Sequence, residues 1–596
     1  MMCNREPCQR SPDPITRSGL LRDCVRRTLY LRRARSRSVL AAVGIAIATP
    51  LLEGAALAPV FPLASLYPEA GGDGSTGFVL TGRNGGDRSG HSVSGAGDVN
   101  GDGIGDLFIG AYHAGSSEGE SYVVFGTTQA FLPVFPLRSL HPAGGGDGSH
   151  GFVLTGIDVD DRSGRSVSAA GDVNGDGTDD LIVGAYRGDP GGDAEAGESY
   201  VVFGSTQDFP ALFPLKSLSP AGGGDGSRGF VLAGIDADDS SGRSVSAAGD
   251  VNGDGIDDLI IGAVCADPRG DSCAGESYVV FGSVQGFPAI IPLRSLYPTD
   301  GGDGSRGFVL TGIAEGDRSG RSVSAAGDVN GDGIDDVIVS AYFAMPRGDA
   351  EAGESYVVFG ASHGLPAILP LASLKAGDGS RGFVLTGIDA GDRSGGSVSA
   401  AGDVNGDGID DLIVGAYLAS PRGDTNAGES YVVFGSKLGF SAIVPLASLY
   451  PAGGGDGSRG LVLTGIDAGD VSGDCVSGAG DVNGDGLDDL IIGARGADPE
   501  GDSRAGESYV VFGSTQGFAA IVPLVSLYPA GGGDGSRGFV LTGIDTLDAS
   551  GDCVSAAGDV NGDGIDDLIV GARMADPDGK PYAGESYVVF GRAAAP

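Results

Sequence analysis

One phrase recurs seven times along the chain and restricts its fold more than any other feature. In the third copy it reads GDVNGDGIDDLIIGA, and its first Asp falls at positions 98, 172, 250, 328, 403, 481 and 559. The successive intervals are 74, 78, 78, 75, 78 and 78 residues. Such a period is typical of arrays in which each unit packs against its neighbours.

Each unit has the pattern of four short strands. In the third unit, SGRSVSAAGDV alternates small and apolar residues, and DLIIGA and ESYVVFG are short apolar runs bounded by glycine. A longer connection, FPAIIPLRSLYPTDGGDGSRG, leads to FVLTG, and no stretch has a sustained helical period. With 112 glycines yet 41% hydrophobic residues, the composition favours tight turns between buried strands. The sequence therefore predicts an all-β fold, a seven-bladed β-propeller with four-stranded blades.

The two ends of the array predict how the ring closes. The strand GFVLTG occurs at Gly77 to Gly82, before the first copy of the repeated phrase, whereas nothing like it follows the final ESYVVFG at Glu585 to Gly591. Pairing of the first segment with the last unit would close the ring and cover two sheet edges. A parallel β-helix is the main alternative, but its repeats are usually much shorter.

Residues 1–58 are predicted to be an export leader, and residues 59–596 the propeller. Ten arginines and three acidic residues precede an apolar run from Val39 to Leu52, and the small-residue segment GAALA follows. This order is typical of a signal peptide, and the run is short for a membrane span. Because no later segment could span a bilayer, we expect an exported protein that is secreted, at the cell surface or periplasmic.

The charge of the chain excludes two classes of partner. The formal net charge is −42, and because residues 1–38 carry a surplus of seven positive charges, the remainder carries −49. Such a body repels nucleic acid and anionic membrane surfaces, and it attracts cations instead.

The repeated phrase contains a candidate cation-binding loop, Asp-x-Asn-x-Asp-Gly-x-x-Asp. In the third unit these residues are Asp250, Asn252, Asp254, Gly255 and Asp258. Oxygens from positions 1, 3, 5 and 9 and the carbonyl at position 7 can surround one ion, and an all-oxygen set suits Ca²⁺ better than Mg²⁺. Unlike an EF-hand, the loop runs into a strand and has no Glu at position 12. A hairpin that binds nothing is the alternative.

These residues resemble the FG-GAP propeller of integrin α-subunit heads. The VVFG ends and DLIVGA strands match the FG and GAP elements, and the loops match the metal loops, over about residues 60–591. The GAP proline is missing, as in Gly262-Ala263-Val264, and all seven units keep the loop, whereas integrins carry it only in later blades. The resemblance implies a non-catalytic, monomeric propeller that mediates protein interaction or cell adhesion with a protein or glycan ligand at a surface.

The resemblance also implies about seven Ca²⁺ sites. In each site the ligands are the side chains at loop positions 1, 3, 5 and 9 and the carbonyl at position 7. They are Asp98, Asn100, Asp102, Ile104 and Asp106; Asp172, Asn174, Asp176, Thr178 and Asp180; Asp250, Asn252, Asp254, Ile256 and Asp258; Asp328, Asn330, Asp332, Ile334 and Asp336; Asp403, Asn405, Asp407, Ile409 and Asp411; Asp481, Asn483, Asp485, Leu487 and Asp489; and Asp559, Asn561, Asp563, Ile565 and Asp567.

An Arg-Gly-Asp triplet, Arg269-Gly270-Asp271, lies between the second and third strands of the third unit. The next three units have MPRGDAEAGES, SPRGDTNAGES and DPEGDSRAGES in the same place, so the column prefers Pro-x-Gly-Asp. A turn formed by Pro and Gly is therefore favoured over an adhesive motif. Cys265 and Cys273 flank the triplet, and either a disulfide formed after export or a pair of free thiols fits them.

No feature of the sequence indicates an enzyme. The five histidines share no repeated column and are interpreted as surface variants, and the Gly-Glu-Ser triplet occurs in every unit, which favours an architectural role. The alternative is a carbohydrate-binding, lectin-like propeller or a polysaccharide-active enzyme.

Overall fold

Seven five-stranded sheets, each one blade, surround an axial channel. The computed structural model describes residues 58–593, all of which belong to one unit, Gly54–Pro596. In every blade the first four strands are antiparallel to their neighbours, and a fifth pairs parallel with the fourth. The predicted all-β, seven-bladed propeller is confirmed.

The three inner strands of each blade come from one repeat. The first strands, which contact one another around the channel, are β3 (Ser92–Gly97), β8 (Ser166–Gly171), β13 (Ser241–Gly249), β18 (Val323–Gly327), β23 (Ser397–Gly402), β28 (Cys475–Gly480) and β33 (Cys553–Gly558). The second strands are β4 (Asp106–Ala111), β9 (Asp180–Ala185), β14 (Asp258–Ala263), β19 (Asp336–Ala341), β24 (Asp411–Ala416), β29 (Asp489–Ala494) and β34 (Asp567–Ala572). The third strands are β5 (Glu120–Val124), β10 (Glu198–Val202), β15 (Glu276–Val280), β20 (Glu354–Val358), β25 (Glu429–Val433), β30 (Glu507–Val511) and β35 (Glu585–Val589).

The burial of these strands follows their sequence patterns. All six residues of β14 are buried, as expected for a continuous apolar run that packs against neighbouring blades on both faces. In β8 only the second and fifth residues, Val167 and Ala170, are buried, and the small residues Ser168 and Ala169 between them are half-buried.

The outer part of each blade corrects the prediction of four strands. The fourth strands are β2 (Gly77–Thr81), β7 (Gly151–Thr155), β12 (Gly229–Ala233), β17 (Gly307–Thr311), β22 (Gly382–Thr386), β27 (Gly460–Thr464) and β32 (Gly538–Thr542). The fifth strands are β1 (Val60–Pro62), β6 (Val134–Pro136), β11 (Leu212–Pro214), β16 (Ile290–Pro292), β21 (Ile368–Pro370), β26 (Ile443–Pro445) and β31 (Ile521–Pro523).

Each fifth strand lies within what the sequence presents as a connection. The connection after β15 first adds β16 to the edge of the preceding blade, where Val231 pairs with Ile290, and then returns to form β17. Three residues are too few to show a period, and Pro292 cannot donate a ladder hydrogen bond, which restricts it to a sheet edge. The sequence pattern therefore conceals this strand.

Two strands from the N-terminal part of the described residues close the ring. β2 pairs antiparallel with β35, with Val79 opposite Tyr587, so the predicted closure is confirmed. β1 adds a parallel fifth strand to the preceding blade, with Val60 opposite Val540. Both blades at the junction thus reach the same five-stranded form as the others.

The hydrophobic core lies between adjacent blades. One cluster joins Phe230 and Leu232 of one blade to Ile261, Tyr278 and Val309 of the next, and equivalent clusters occur around the ring. Because each blade covers the face of its neighbour, an isolated blade would expose much of this apolar surface.

Short helical turns occupy the connections. Two are α-helical, Ala114–Ser117 and Ala372–Lys375. The 3₁₀ turns are Leu63–Leu66, Pro68–Ala70, Leu137–Leu140, Pro142–Gly144, Pro190–Gly192, Leu215–Leu218, Pro220–Gly222, Pro268–Gly270, Leu293–Leu296, Pro298–Asp300, Pro346–Gly348, Pro421–Gly423, Leu446–Leu449, Pro451–Gly453, Pro499–Gly501, Leu524–Leu527, Pro529–Gly531 and Pro577–Gly579.

The predicted export leader, residues 1–58, lies outside the described residues except for Ala58. Within residues 58–593, no helix has the length and apolar character needed to cross a membrane.

The closing strand gives a direct test of the ring. Val79 is fully buried in β2, whereas Val159 is largely exposed. We expect Val79→Asp to lower the free energy of unfolding by about 4 kcal/mol or more, because it buries an unpaired charge at the junction. Thermal and denaturant unfolding measure the loss, and Val159→Asp is the matched control. Equal stability of the two variants would show that β2 does not hold the ring closed.

Candidate metal centres in the repeated loops

Each candidate metal loop is the hairpin between the first and second strands of a blade. In the third blade it runs from Gly249, the last residue of β13, to Asp258, the first residue of β14. The register shifts at Gly249, whose φ is 71°. A Cβ there would lie 2.5 Å from Asp335 Oδ2 of the next loop, so glycine is required both by its conformation and by the close approach.

The aspartate at position 1 folds the loop around its own carboxylate. Asp250 Oδ1 accepts a hydrogen bond from the Asp254 N–H at 2.9 Å, and Oδ2 accepts one from the Gly255 N–H at 2.8 Å. Asp254 Oδ1 in turn accepts from the Ile256 N–H at 3.0 Å. Gly255 has a φ of 93°, which explains glycine at position 6. Positions 1 and 5 are thereby held on the same tight turn.

The aspartate at position 9 joins the loop to the end of the third strand. Asp258 is fully buried, and its Oδ2 accepts from the Val251 N–H at 3.0 Å and its Oδ1 from the Gly282 N–H at 2.8 Å. The Asn252 side-chain amide also donates to both oxygens at 3.3 Å. Gly282 follows Phe281 at the end of the ESYVVFG segment, so one carboxylate links two parts of the repeat that are separated in sequence.

The aspartates at position 9 have raised pKa values, because a negative charge is unfavourable at this buried position. The pKa of Asp258 is raised to about 8, chiefly by burial and also by the nearby carboxylates of Asp250 and Asp254, against the backbone hydrogen bonds that lower it. The same causes raise the pKa of Asp336 to about 9. The other position-9 residues have pKa values raised to about 8, and they are Asp106, Asp180, Asp411, Asp489 and Asp567. A bound cation would stabilise the ionised form of these carboxyl groups.

The oxygen donors suit a hard cation. Asn483 is 3% exposed, and its Oδ1 is buried without a hydrogen-bond partner among residues 58–593. Because buried polar atoms normally have a partner, this oxygen is a candidate metal ligand. In the first and seventh loops the equivalent Asn oxygen instead accepts from the backbone N–H two residues later. No cluster of three or more His, Cys, Asp or Glu arranged to hold a metal is found in the described part of the chain. The seven calcium sites therefore stay a prediction.

A further column of aspartates, at position 8, was missed by the sequence reasoning. Asp335 Oδ2 accepts from the Asp250 N–H of the preceding loop at 2.8 Å. The same bond between neighbouring loops is made by Asp179, Asp257, Asp410, Asp488 and Asp566. At the remaining junction position 8 is Gly105, whose N–H donates to the Asp559 carbonyl at 3.0 Å. The signal was present as the Asp-Asp pair in six of the seven phrases.

The repeats themselves match a known family model. The FG-GAP repeat matches seven times, at residues 89–124, 163–202, 241–272, 319–358, 394–433, 476–511 and 554–589. Each match begins near a first strand and includes the loop described above. The chain is an FG-GAP repeat protein.

Relatives of this FG-GAP protein include integrin α-subunits. Integrin alpha pat-2 of Caenorhabditis elegans is 30% identical over 255 residues, which cover 42% of this chain and 17% of the relative. Integrin alpha-5 of Xenopus laevis is 27% identical over 260 residues, covering 42% and 20% of the two chains. The matched segments thus span no more than about a fifth of the curated relatives' length, and the likeness supports the resemblance to the integrin α propeller.

Another relative has a name that denotes an enzyme. Phosphatidylinositol-glycan-specific phospholipase D of Bos taurus is 32% identical over 193 residues, covering 31% of this chain and 20% of the relative. Among solved structures, the V. cholerae biofilm matrix protein Bap1 matches with a TM-score of 0.24 and 11% identity over 88% of this chain and 92% of that chain, which is too weak to support an argument.

The Arg-Gly-Asp triplets of the FG-GAP propeller lie in turns between second and third strands. The Arg269 guanidinium donates to the Gly312 carbonyl at 2.8 Å and lies 3.6 Å from Asp271 Oδ2. Arg347 and Arg422, at the same place in the next two blades, make the same contacts. A fourth triplet, Arg187-Gly188-Asp189, begins two residues after β9, and its arginine lies 3.6 Å from Glu195 instead. The residue between Pro and Gly has positive φ, 61° for Arg269 and 56° for Glu500, so the position is part of a turn whichever residue fills it. These contacts favour the interpretation as a turn.

Two cysteines flank the Arg269-Gly270-Asp271 triplet. Cys265 and Cys273 are half-buried and unbonded, and burial together with the neighbouring Cys273 raises the pKa of the Cys265 thiol to about 12. The disulfide between them stays a prediction. Cys475 and Cys553 are also free thiols and lie at the start of adjacent first strands.

The position-9 carboxylates predict how stability depends on pH. With excess chelator, we expect the melting temperature to fall as pH rises from about 4 to about 8. The folded-state pKa of about 8 exceeds the ordinary value of 3.8, so within this window the folded state binds more protons than the unfolded state and is destabilised as it releases them. Calcium should reduce or reverse this slope, because it pairs with the ionised carboxylates.

The measurement is thermal unfolding at several pH values, in calcium and in chelator. At each pH, the melting temperature in chelator is subtracted from that in calcium. We expect this difference to be larger at about pH 8 than at about pH 5. Identical melting curves in calcium and chelator at every pH would contradict a structural role for calcium.

Proposed function

We propose that this chain is an exported, calcium-binding propeller that mediates protein interaction or cell adhesion and has no catalytic activity. The observation that carries the proposal is the repetition itself: all seven blades are FG-GAP repeats, and all seven retain the Asp-x-Asn-x-Asp-Gly-x-x-Asp loop. A ring that repeats one binding loop in every blade fits a rigid recognition surface better than an active site at one position.

Calcium binding is supported by the chemistry of the loops. Each loop places three carboxylates and an amide within one turn of chain, and burial makes the charge of the last carboxylate unfavourable without a cation. The residues that would hold the ion in the third blade are Asp250, Asn252, Asp254 and Asp258, with the Ile256 carbonyl. Bound calcium would neutralise these carboxylates and hold the hairpin closed.

A role in interaction is supported by the arrangement of the two faces. Because antiparallel strands reverse direction, the turns after the second strands lie at the opposite end of each blade from the calcium loops. The ions would thus stabilise one face, while the turns and the loops before the first strands present variable residues on the other. The partner is proposed to be a protein or glycan at a surface, and since the ring closes within one chain, we expect a monomeric propeller.

Metal analysis tests the calcium proposal. We expect about seven Ca²⁺ per chain after equilibration and desalting, and about one fewer in Asp258→Asn, which removes a charged ligand. Asp271→Asn, the same change in an exposed turn, is the matched control and should retain the full number. A wild-type content far below seven, or equal losses in both variants, would contradict the assignment of these ligands.

Binding to intact cells tests the interaction proposal. We expect calcium-dependent binding that is unchanged when Asp271, Asp349 and Asp424 are all replaced by Glu, because the arginines of these three triplets are bonded within their own blades. Loss of binding in this triple variant would show that the triplets act as adhesive motifs. Binding to saccharides on a glycan array, without protein binding, would favour the carbohydrate-directed alternative.

A further inference from the structure

One column of residues around the axial channel breaks the sevenfold repeat. It lies at the start of the first strands, and its members in blade order are His91, Arg165, Arg243, Arg321, Gly396, Asp474 and Asp552. The next residue in each blade is Ser or Cys, and its side chain accepts a hydrogen bond from the backbone of the following blade, as Ser166 does from the Val245 N–H at 3.1 Å. These bonds fix the column at the channel wall, whatever its side chains are.

A second column, one residue after each second strand, lies beside the first. Its members are Tyr112, Tyr186, Val264, Tyr342, Tyr417, Arg495 and Arg573. Except for Tyr112, Tyr186 and Val264, these residues line a cavity of about 300 Å³ together with the first column. The cavity lies at the end of the channel opposite the candidate calcium loops, because both columns lie at the other ends of the strands that the loops join.

The acidic side of this cavity is fully paired. Asp552 lies 2.8 Å from an Arg573 nitrogen, 3.7 Å from Arg495 and 3.3 Å from His91 Nδ1. Asp474 forms an ion pair with Arg495. His91, interpreted from the sequence as a surface variant, is therefore part of the channel wall, where burial lowers its pKa to about 3 and keeps it neutral.

The basic side is not paired. Within residues 58–593, no carboxylate lies within ion-pair distance of Arg165, Arg243 or Arg321. Their guanidinium groups lie over the rings of Tyr112, Tyr186 and Tyr342 at 5.2, 5.0 and 5.6 Å from the ring centres. The Nε of Arg243 is buried and has no hydrogen-bond partner in this part of the chain. Arg165 contacts His91, which is neutral.

These three arginines also repel one another. Burial and the neighbouring charge of Arg243 lower the pKa of Arg165 to about 10, and burial and Arg321 lower that of Arg243. The five arginines of the two columns exceed the two aspartates by three positive charges. A cationic pocket of this kind is unusual in a chain of net charge −42.

We propose that this cavity is a binding site for a small polyvalent oxyanion, a sulfate-like or carboxylate ligand, held by Arg165, Arg243 and Arg321. Guanidinium groups recognise such anions through paired N–H donors, and the three that form no ion pair here come from three consecutive blades that face one cavity. The cation–π contacts with the tyrosine rings would hold the guanidinium groups in place for the ligand. The volume limits the ligand to a small molecule or a single charged group.

Isothermal titration and thermal unfolding with sulfate and with malonate test the proposal, in calcium and at an ionic strength held constant with sodium chloride. Sulfate and malonate stand for the two chemical classes of ligand, and both bind calcium more weakly than phosphate or citrate. We expect at least one of them to bind the wild-type protein and raise its melting temperature above that in chloride.

The variants locate the site. Arg243→Gln and Arg321→Gln should each weaken binding by about tenfold or more, because each removes a charge-assisted contact. Arg243→Lys keeps the charge but loses the paired donors and should weaken binding less, and it replaces Arg243→Gln if that variant fails to fold. Arg306→Gln, at an exposed arginine outside the cavity, is the matched control and should bind as the wild type does.

Two results would overturn the proposal. One is a wild-type protein that responds to sulfate and malonate no more than to chloride at the same ionic strength, which would leave the arginines a purely structural set stacked on tyrosine. The other is undiminished binding in both Arg243→Gln and Arg321→Gln, which would place the anion elsewhere.

Discussion

The structure depends on backbone pairing between β2 and β35, because this pairing converts a row of blades into a ring. Every blade buries its apolar faces against two neighbours, so an open row would expose two faces and two sheet edges. The segment that supplies β2 also supplies β1, which completes the adjoining blade. A fifth strand is added in the same way at every other junction, so the closing junction has the same strand pairing as the others.

Within the ring, the aspartates of the repeated phrase have three separate structural roles. Position 1 folds the loop, position 8 joins it to the preceding loop, and position 9 joins it to the end of the third strand. All three roles are performed by hydrogen bonds that the carboxylates accept from backbone N–H groups. The loop sequence is therefore explained partly by hydrogen bonding, and the proposed calcium explains what hydrogen bonding does not: three carboxylates close together, the last of them buried.

One column of the channel wall, from His91 to Asp552, differs from the rest of the ring because hydrogen bonds of the neighbouring Ser or Cys column already join the blades. The Ser or Cys side chains accept hydrogen bonds from the next first strand, which leaves the preceding column free to vary from arginine to glycine to aspartate. This column has a basic side and a paired acidic side. Sevenfold symmetry in the blades is thus compatible with a single asymmetric site on the axis.

The sequence by itself determined the number of blades, the strand order within a repeat, the closing strand and the residues of the candidate calcium loops, because all of these are encoded in local patterns that recur with a fixed period. Only the tertiary structure decided the fifth strand, since Ile290–Pro292 is too short to show a period and its pairing partner lies in another repeat. The same holds for His91 and the three channel arginines. Residues about 75 to 80 positions apart become neighbours only when consecutive blades pack around the axis, and a charge excess shared among three blades has no signature within any one of them.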